Sequence, residues 1–212
     1  MNKKKYIQYG CGFSAPNEWI NFDASPTLRT QKLPIIGKLF KRIMSVKFPR
    51  NTHYGDILKG LPVPDNSCDG IYCSHVLEHL SLSDFQLALK NTHKLLKKGG
   101  IFRLVVPDLE IEARNYVDGL NRKDSTASIS FMENTSLGKK SRQKNLKAFL
   151  ASFYGNSNHL WMWDYNSLSY QLKINSFKDI RRCEFNDCPD ISFKLVESKS
   201  RFINAVAIEC KK

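Results

Sequence analysis

Apolar and polar positions alternate in short blocks along the first half of the chain, and each block ends on a breaker. Tyr6 to Tyr9 is a short strand-like run closed by a glycine turn, and Trp19 to Asp23 (W-I-N-F-D) alternates and ends on an acid. Asp69 to Ser74 (D-G-I-Y-C-S) is strand-like and follows the turn Pro64-Asp65-Asn66-Ser67. Over Leu82 to Lys97 the period changes: Phe85, Leu89, Thr92/His93 and Leu96 recur at helical spacing, with Lys97-Lys98-Gly99-Gly100 as the stop. Ile101 to Val106 is nearly continuously apolar, as suits a strand buried on both faces. Such strand, helix, strand alternation predicts βαβ units and a doubly wound, mostly parallel α/β sheet. The end of the chain breaks the rhythm. Asp179 to Phe185 and Arg201 to Cys210 read as two strands joined without a helix, hence a C-terminal antiparallel hairpin at one edge.

No repeat or low-complexity linker divides the 212 residues, so one domain, 1–212, is expected, with insertions near 27–51 and 120–160. The first insertion puts Ile36, Leu39, Phe40, Ile43 and Met44 on one helical face and Lys38, Lys41, Arg42 and Ser45 off it. Pro34 to Phe48 therefore reads either as an interfacial helix in peripheral contact with an anionic membrane, or as a lid with solvated lysines. The second insertion is polar and basic at first, then aromatic. Insertions of this kind carry specificity more often than the scaffold does.

The charge sharpens the question of partners. Lys and Arg number 33 against 20 Asp and Glu, a net +13, concentrated at Lys3 to Lys5, Lys38 to Arg50 and Lys139 to Lys147. Nucleic acid, an anionic membrane surface or an acidic substrate would each suit it. Aromatic residues are not interleaved with the basic runs, which makes nucleic acid the weaker of these. No apolar run approaches the roughly 20 residues needed to cross a bilayer. Met1 to Lys5 is basic but lacks the apolar core and cleavage site of a signal peptide. The expected location is the cytoplasm, peripheral at the inner membrane face if Pro34 to Phe48 binds lipid. The six cysteines form no C-x2-C pair and read as reduced thiols.

Tyr9-Gly10-Cys11-Gly12 follows the first strand. A G-x-G turn there lets backbone approach a ligand and aims amide N–H groups at it. Alone it marks only a tight bend. Asp23, ending the next strand, can accept two ribose hydroxyl hydrogens. Gly55-Asp56-Ile57 offers an acid for an adenine amino group and an apolar cover for the ring. Cys73-Ser74-His75-Val76-Leu77-Glu78-His79-Leu80 then places polar groups at the carboxyl end of a fourth strand, the edge where open α/β sheets bind ligands.

The series Y-G-C-G, W-I-N-F-D, G-D-I-L-K-G-L-P, D-G-I-Y-C-S-H-V-L-E-H-L and L-L-K-K-G-G-I-F-R-L-V-V-P-D-L resembles the class I S-adenosylmethionine-dependent methyltransferases. Within them it is most similar to the small bacterial type 11 methyltransferase-domain proteins. The resemblance covers roughly residues 6–110, with weaker agreement in H-L-W-M-W-D-Y-N-S-L and the last strands. It implies a Rossmann-like fold with S-adenosylmethionine as cofactor. In that case Gly10 and Gly12, within the turn Tyr9 to Gly12 that includes Cys11, would pack against the methionine part. Asp23 would hold the ribose, Asp56 and Ile57 the adenine, and Ser74 and His75 the sulfonium side. Two residues depart from the pattern: Gln8 stands where the family has an acid, and Ser14 where it has a third glycine. Only ten residues separate Gly12 from Asp23, so a very short helix is expected between them. These features also disfavour a dinucleotide, whose pyrophosphate needs a full helix N-terminus.

Methyl transfer to a hydroxyl needs alignment and a base. His75, Glu78 and His79 form H-x-x-E-H, which on a helix would share one face. Related quinone-pathway O-methyltransferases carry an acid-rich version of this patch that binds a divalent metal; with His first here, no metal is assigned. Glu78 is read as capping or anchoring the helix in a hydrogen-bonded core, and His79 as a candidate base. Asn158-His159-Leu160-Trp161-Met162-Trp163-Asp164 reads as a sugar-stacking site with His159 as base, or as a buried aromatic cluster. Asp108, after the fifth strand, would face a substrate. The expected activity is methylation of a small-molecule or glycolipid acceptor, such as the hydroxyl of a surface-polysaccharide sugar. RNA methylation and a non-catalytic, cofactor-binding scaffold are the other readings.

Overall fold

A computed structural model describes residues 3–32, 47–140 and 158–212. The amphipathic segment expected over Pro34 to Phe48 lies outside them, except for Lys47 and Phe48, as does the 141–157 stretch of the second insertion.

Seven strands form one sheet: β1 (Tyr6–Tyr9), β2 (Ile20–Asp23), β3 (Thr52–Tyr54), β4 (Cys68–Ser74), β5 (Leu96–Pro107), β6 (Lys178–Arg182) and β7 (Ala205–Lys211). Their order is β3-β2-β1-β4-β5-β7-β6. The first five run parallel, while β7 is antiparallel to both β5 and β6. The expected doubly wound sheet with its C-terminal antiparallel pair is what the chain forms. It winds outward from β1 to β3, then returns to lay β4 on the other side of β1. The carboxyl ends of β1 and β4 are therefore a topological switch point, where loops diverge and leave a crevice.

Among the described residues five helices accompany the sheet: α1 (Pro26–Gln31), α2 (Leu82–Leu95), α3 (Leu109–Asn121), α4 (Ala127–Asn134) and α5 (Tyr165–Ile174). Local chemistry starts four of them. Side chains of Ser25, Ser81, Asp108 and Asp164 each accept a first-turn N–H, and Asp164 forms a capping box with Ser167. One predicted boundary moves. The Lys97 to Gly100 stretch is not the stop of α2 but the opening of β5, because Leu96 already pairs with Cys68 and the Gly99 N–H reaches the Lys212 carbonyl at 2.9 Å. Backbone pairing on both sides draws it into the sheet.

The sheet buries both faces. On one, Ile7, Tyr9, Phe22, Ile71, Cys73, Phe102 and Leu104 meet Phe85 and Leu89 of α2, Leu168 and Leu172 of α5, and Trp163. On the other, Tyr6, Tyr72 and Val105 pack with Trp19 and with Phe193 and Val196 from the β6–β7 connection. That connection contains two 3-10 turns, Ile191–Leu195 and Lys199–Phe202, so the terminal hairpin is not a plain loop, and β7 begins at Ala205 rather than near Arg201. Arg103 of β5, fully buried, pins it down. Its guanidinium donates to Asp187 Oδ1 and Glu209 Oε2, each at 2.8 Å, to Glu197 Oε1 at 2.7 Å and to the Glu184 carbonyl at 3.0 Å. All six cysteines are free and buried. Among the described residues no helix is long and apolar enough to cross a membrane.

Candidate active site

The site begins with the turn after β1. Gly10 and Gly12 have φ of +66° and +53°, a region that side chains disfavour. A Cβ on Gly10 would also fall 2.1 Å from Val76 Cγ2. The Gly12 N–H donates to Asp23 Oδ2 at 3.0 Å and the Ser25 N–H to Asp23 Oδ1 at 2.8 Å. Each carboxylate oxygen thus keeps a second lone pair for a ligand hydroxyl. The short helix expected after the turn does not form. Side-chain amides shape the loop instead. Gln8 Nε2 donates to the Ser14 carbonyl and to Asn21 Oδ1, both at 2.7 Å; Asn21 Nδ2 reaches the Pro16 carbonyl at 3.0 Å, and Asn51 Nδ2 the Ala15 carbonyl at 2.6 Å. This accounts for Gln8, since an ionised acid there could not donate to that carbonyl.

Next to the turn lies a cavity of about 470 Å³ at the carboxyl ends of β1 to β4. Tyr9, Gly10, Asp23, Asp56, Ile57 and His75 line it, as do Val76, His79 and Leu80. Cys11 and Ser74 instead line a smaller cavity of about 170 Å³, which shares Tyr9 and Gly10 with the first. Gly12 lines neither; its contribution is the N–H on Asp23. Asp56 Oδ1 accepts the Leu58 N–H at 3.0 Å, and Asn91 Nδ2 holds the Ile57 carbonyl at 2.7 Å, so both cavity residues sit on a tied turn. Burial pushes the Cys11 thiol up to about 12, which leaves it un-ionised.

His75, Glu78 and His79 meet, but not on a helix. His75 follows β4 with φ +53°, and Leu77–His79 is a single 3-10 turn. His75 Nε2 lies 2.9 Å from the Arg201 carbonyl, and its Nδ1 is 3.5 Å from Glu78 Oε1. Burial lowers the His75 pKa. Glu78 overturns its expectation. It is 1% exposed and neither carboxyl oxygen has a hydrogen-bond partner, so no hydrogen-bonded core anchors it. Burial pushes its pKa up to about 7. Its backbone carbonyl accepts the Leu160 and Trp161 N–H groups at 2.8 and 3.1 Å, which draws the 158–163 segment onto the site. His159 arrives this way, its ring 5.0 Å from that of His79. The His159 Nδ1 is buried without a partner, and burial holds its pKa down. His79 Nδ1 lies 3.0 Å from the Asn158 carbonyl, and its Nε2 is 4.0 Å from Glu78 Oε1. One ligand atom from each of Glu78, His79 and His159 lies within 4.8 Å of the others, a spacing that could chelate a divalent cation.

The aromatic patch divides. Trp163 is core, with its ring 4.1 Å from that of Phe85, while Trp161 is 42% exposed. Asp164 caps a helix, its side chain accepting the Ser167 N–H. Asp108, expected to face substrate, is likewise a buried cap: its Oδ1 accepts the Glu110 N–H at 2.9 Å. The residues missed in the sequence, Val76 and Leu80, sit inside the C-S-H-V-L-E-H-L segment, where a hydrophobic cavity wall could have been read.

Residues 8–104 match the family described as "Methyltransferase domain". A 48-residue stretch is 44% identical to the "Probable methyltransferase ltbC" of Aspergillus luteorubrus, covering 22% of this chain and 17% of that protein. The chain thus spans only a small part of that relative's length. Among solved structures, a SAM-dependent methyltransferase from Archaeoglobus fulgidus is 15% identical with a TM-score of 0.50, covering 100% of this chain and 87% of its own. One from Thermotoga maritima is 17% identical with a TM-score of 0.52, covering 100% and 83%. The family match thus takes in the glycine turn and β4, and the solved structures share the fold over the whole length of the chain.

Proposed function

We propose that this protein transfers the methyl group of S-adenosylmethionine to an oxygen of a small or lipid-linked acceptor, such as a hydroxyl of a surface-polysaccharide sugar. The observation that carries the reading is the 470 Å³ cavity, which runs from Asp23 and Asp56 to His79, itself beside Glu78 and His159. The residues fit the cofactor. Asp23 has unused lone pairs for two ribose hydroxyls, and Gly10, whose missing side chain lets Val76 pack against the turn, lines the same cavity. Asp56 and Ile57 stand at the adenine end, His75 and Ser74 toward the sulfonium.

When bound, S-adenosylmethionine supplies an electrophilic methyl group on a positively charged sulfur. The chain's own residues orient and deprotonate. His79, with Nδ1–H donating to the Asn158 carbonyl, presents Nε2 as the base. It would take the hydroxyl proton as the acceptor oxygen gains the methyl group and the methyl–sulfur bond breaks, and the Glu78 carboxyl 4.0 Å away would, when ionised, stabilise the imidazolium. His159 packs edge-on against His79 and holds its ring in place. Exposed Trp161 beside these groups suits stacking on a sugar ring. The basic face of Pro34 to Phe48 supports a membrane-side acceptor on sequence grounds, and Phe48 packs on Phe13 of the loop after β1 at 5.4 Å.

Calorimetry with S-adenosylhomocysteine tests the cofactor and labelled-methyl transfer tests the acceptor. Asp23→Ala is expected to lose binding, while His79→Ala keeps it and loses roughly 10²- to 10⁴-fold in transfer rate. No binding at millimolar ligand would overturn the cofactor reading. Transfer to RNA but not to lipid-linked glycans would overturn the acceptor.

A further inference from the structure

The buried Glu78 carboxyl is met by lone pairs instead of protons. His79 Nδ1 lies 3.0 Å from the Asn158 carbonyl, and His75 Nε2 lies 2.9 Å from that of Arg201. A carbonyl only accepts, so in the neutral rings those nitrogens carry the hydrogens. The lone pairs then fall on His79 Nε2 and His75 Nδ1, which stand 4.0 and 3.5 Å from Glu78 Oε1. Among the described residues neither Glu78 oxygen receives a hydrogen bond, and the buried His159 Nδ1 beside them has no partner either. A buried carboxyl surrounded by acceptors lacks a cation.

We propose that Glu78, His79 and His159 bind a divalent cation of the zinc type. One carboxylate and two imidazoles are a set that zinc takes in tetrahedral sites, whereas magnesium favours oxygen ligands in an octahedron. Neighbouring ligand atoms of a tetrahedral zinc stand about 3.4 Å apart. Those of the three residues already lie within 4.8 Å of one another, so they draw in by about 1.4 Å at most. The Asn158 carbonyl on His79 Nδ1 is the outer contact that orients a metal-binding imidazole. Two ligands belong to the turn after β4, and the third comes from a distant segment. The Glu78 carbonyl holds that segment through the Leu160 and Trp161 N–H groups, so the same residue supplies a ligand and recruits another. Where His79 is the base of the proposed transfer, a cation on Nε2 takes the lone pair that would receive the acceptor's proton, and zinc inhibits.

Calorimetric titration of the full chain with zinc chloride and with magnesium chloride tests the site, and cobalt(II) reports its geometry by visible absorption. Expected are one zinc per chain, weaker binding of magnesium, and the intense bands of four-coordinate cobalt. His159→Ala and the isosteric Glu78→Gln should each weaken zinc by about 100-fold or more, beyond the roughly 10- to 100-fold effect of a residue that only orients a ligand. Urea midpoints without metal show whether the variants fold, and His159→Gln serves where the alanine variant does not. Zinc held equally well by the variants would sit elsewhere, on one of the six free cysteines for example, and would overturn the site. So would magnesium binding tighter than zinc, or the weak bands of six-coordinate cobalt. Zinc bound by these three residues with transfer undiminished would leave the cation site standing and remove His79 as the base.

Discussion

Gly10→Ala probes the geometry on which the site depends. Two costs add. A residue with a side chain held at φ +66° costs about 1–2 kcal/mol. The new Cβ would also lie 2.1 Å from Val76 Cγ2 and 3.3 Å from its Cβ, so Val76 or the turn must shift, an overpacking cost of about 1–3 kcal/mol. Gly12→Ala is the internal control. Its φ is +53°, but nothing lies within 4 Å of the added Cβ, so only the backbone cost of about 1–2 kcal/mol applies. Urea denaturation should therefore find Gly10→Ala less stable than Gly12→Ala by about 1–3 kcal/mol, or about 2–12 °C in Tm for a chain of this size. In a Val76→Ala background that gap should close, because the clashing methyl is gone. Val76 also lines the large cavity, so Gly10→Ala alone should weaken S-adenosylhomocysteine, with recovery in the double variant. Equal losses at the two glycines, or a gap that survives Val76→Ala, would refute the close approach.

Arg103→Ala leaves Glu197 buried without its cation and Glu209 with Arg181 alone, and should cost about 3–5 kcal/mol, read as a lower urea midpoint; a loss below about 1 kcal/mol would mean the cluster is not a structural pin. Asp190 bears on acid stability. Burial by itself would raise its carboxyl, but Tyr6 Oη at 2.6 Å, the Ser192 N–H and Lys4 Nζ hold it down at about 2. A depressed folded-state pKa contributes stability that is present above the unfolded value and lost as pH falls toward the folded one. Between about pH 5 and pH 2 the unmodified protein should therefore lose more stability than Asp190→Asn, measured as urea midpoints across that range.

Local pattern carried much of the fold. β1, β4, β5 and α2 were legible because each is a run whose own periodicity or unbroken apolar character states its type. The clustering of Gly10, Asp23 and Asp56 was legible too: they fall at successive strand ends, and chain order alone brings such ends to one edge of a parallel sheet. β3, with three residues, carries no period and exists because Asn21 to Asp23 offer it a ladder. What chain order cannot state is which distant surfaces meet. Glu78 looked like an ordinary cap, and only packing revealed a carboxyl with no partner. His159 stands 80 residues from His79 and joins it because the Glu78 carbonyl captures the Leu160 N–H. Gln8 became intelligible once Ser14 and Asn21 were seen around it, and Arg201 once the terminal connection lay across β4. Strand type and strand ends are properties of neighbours in sequence, so the sequence by itself determined the scaffold and the edge at which its strand ends gather. Burial, hydrogen-bond satisfaction and charge pairing are properties of neighbours in space, so the cluster of Glu78, His79 and His159 and the second cavity were decided by the tertiary structure.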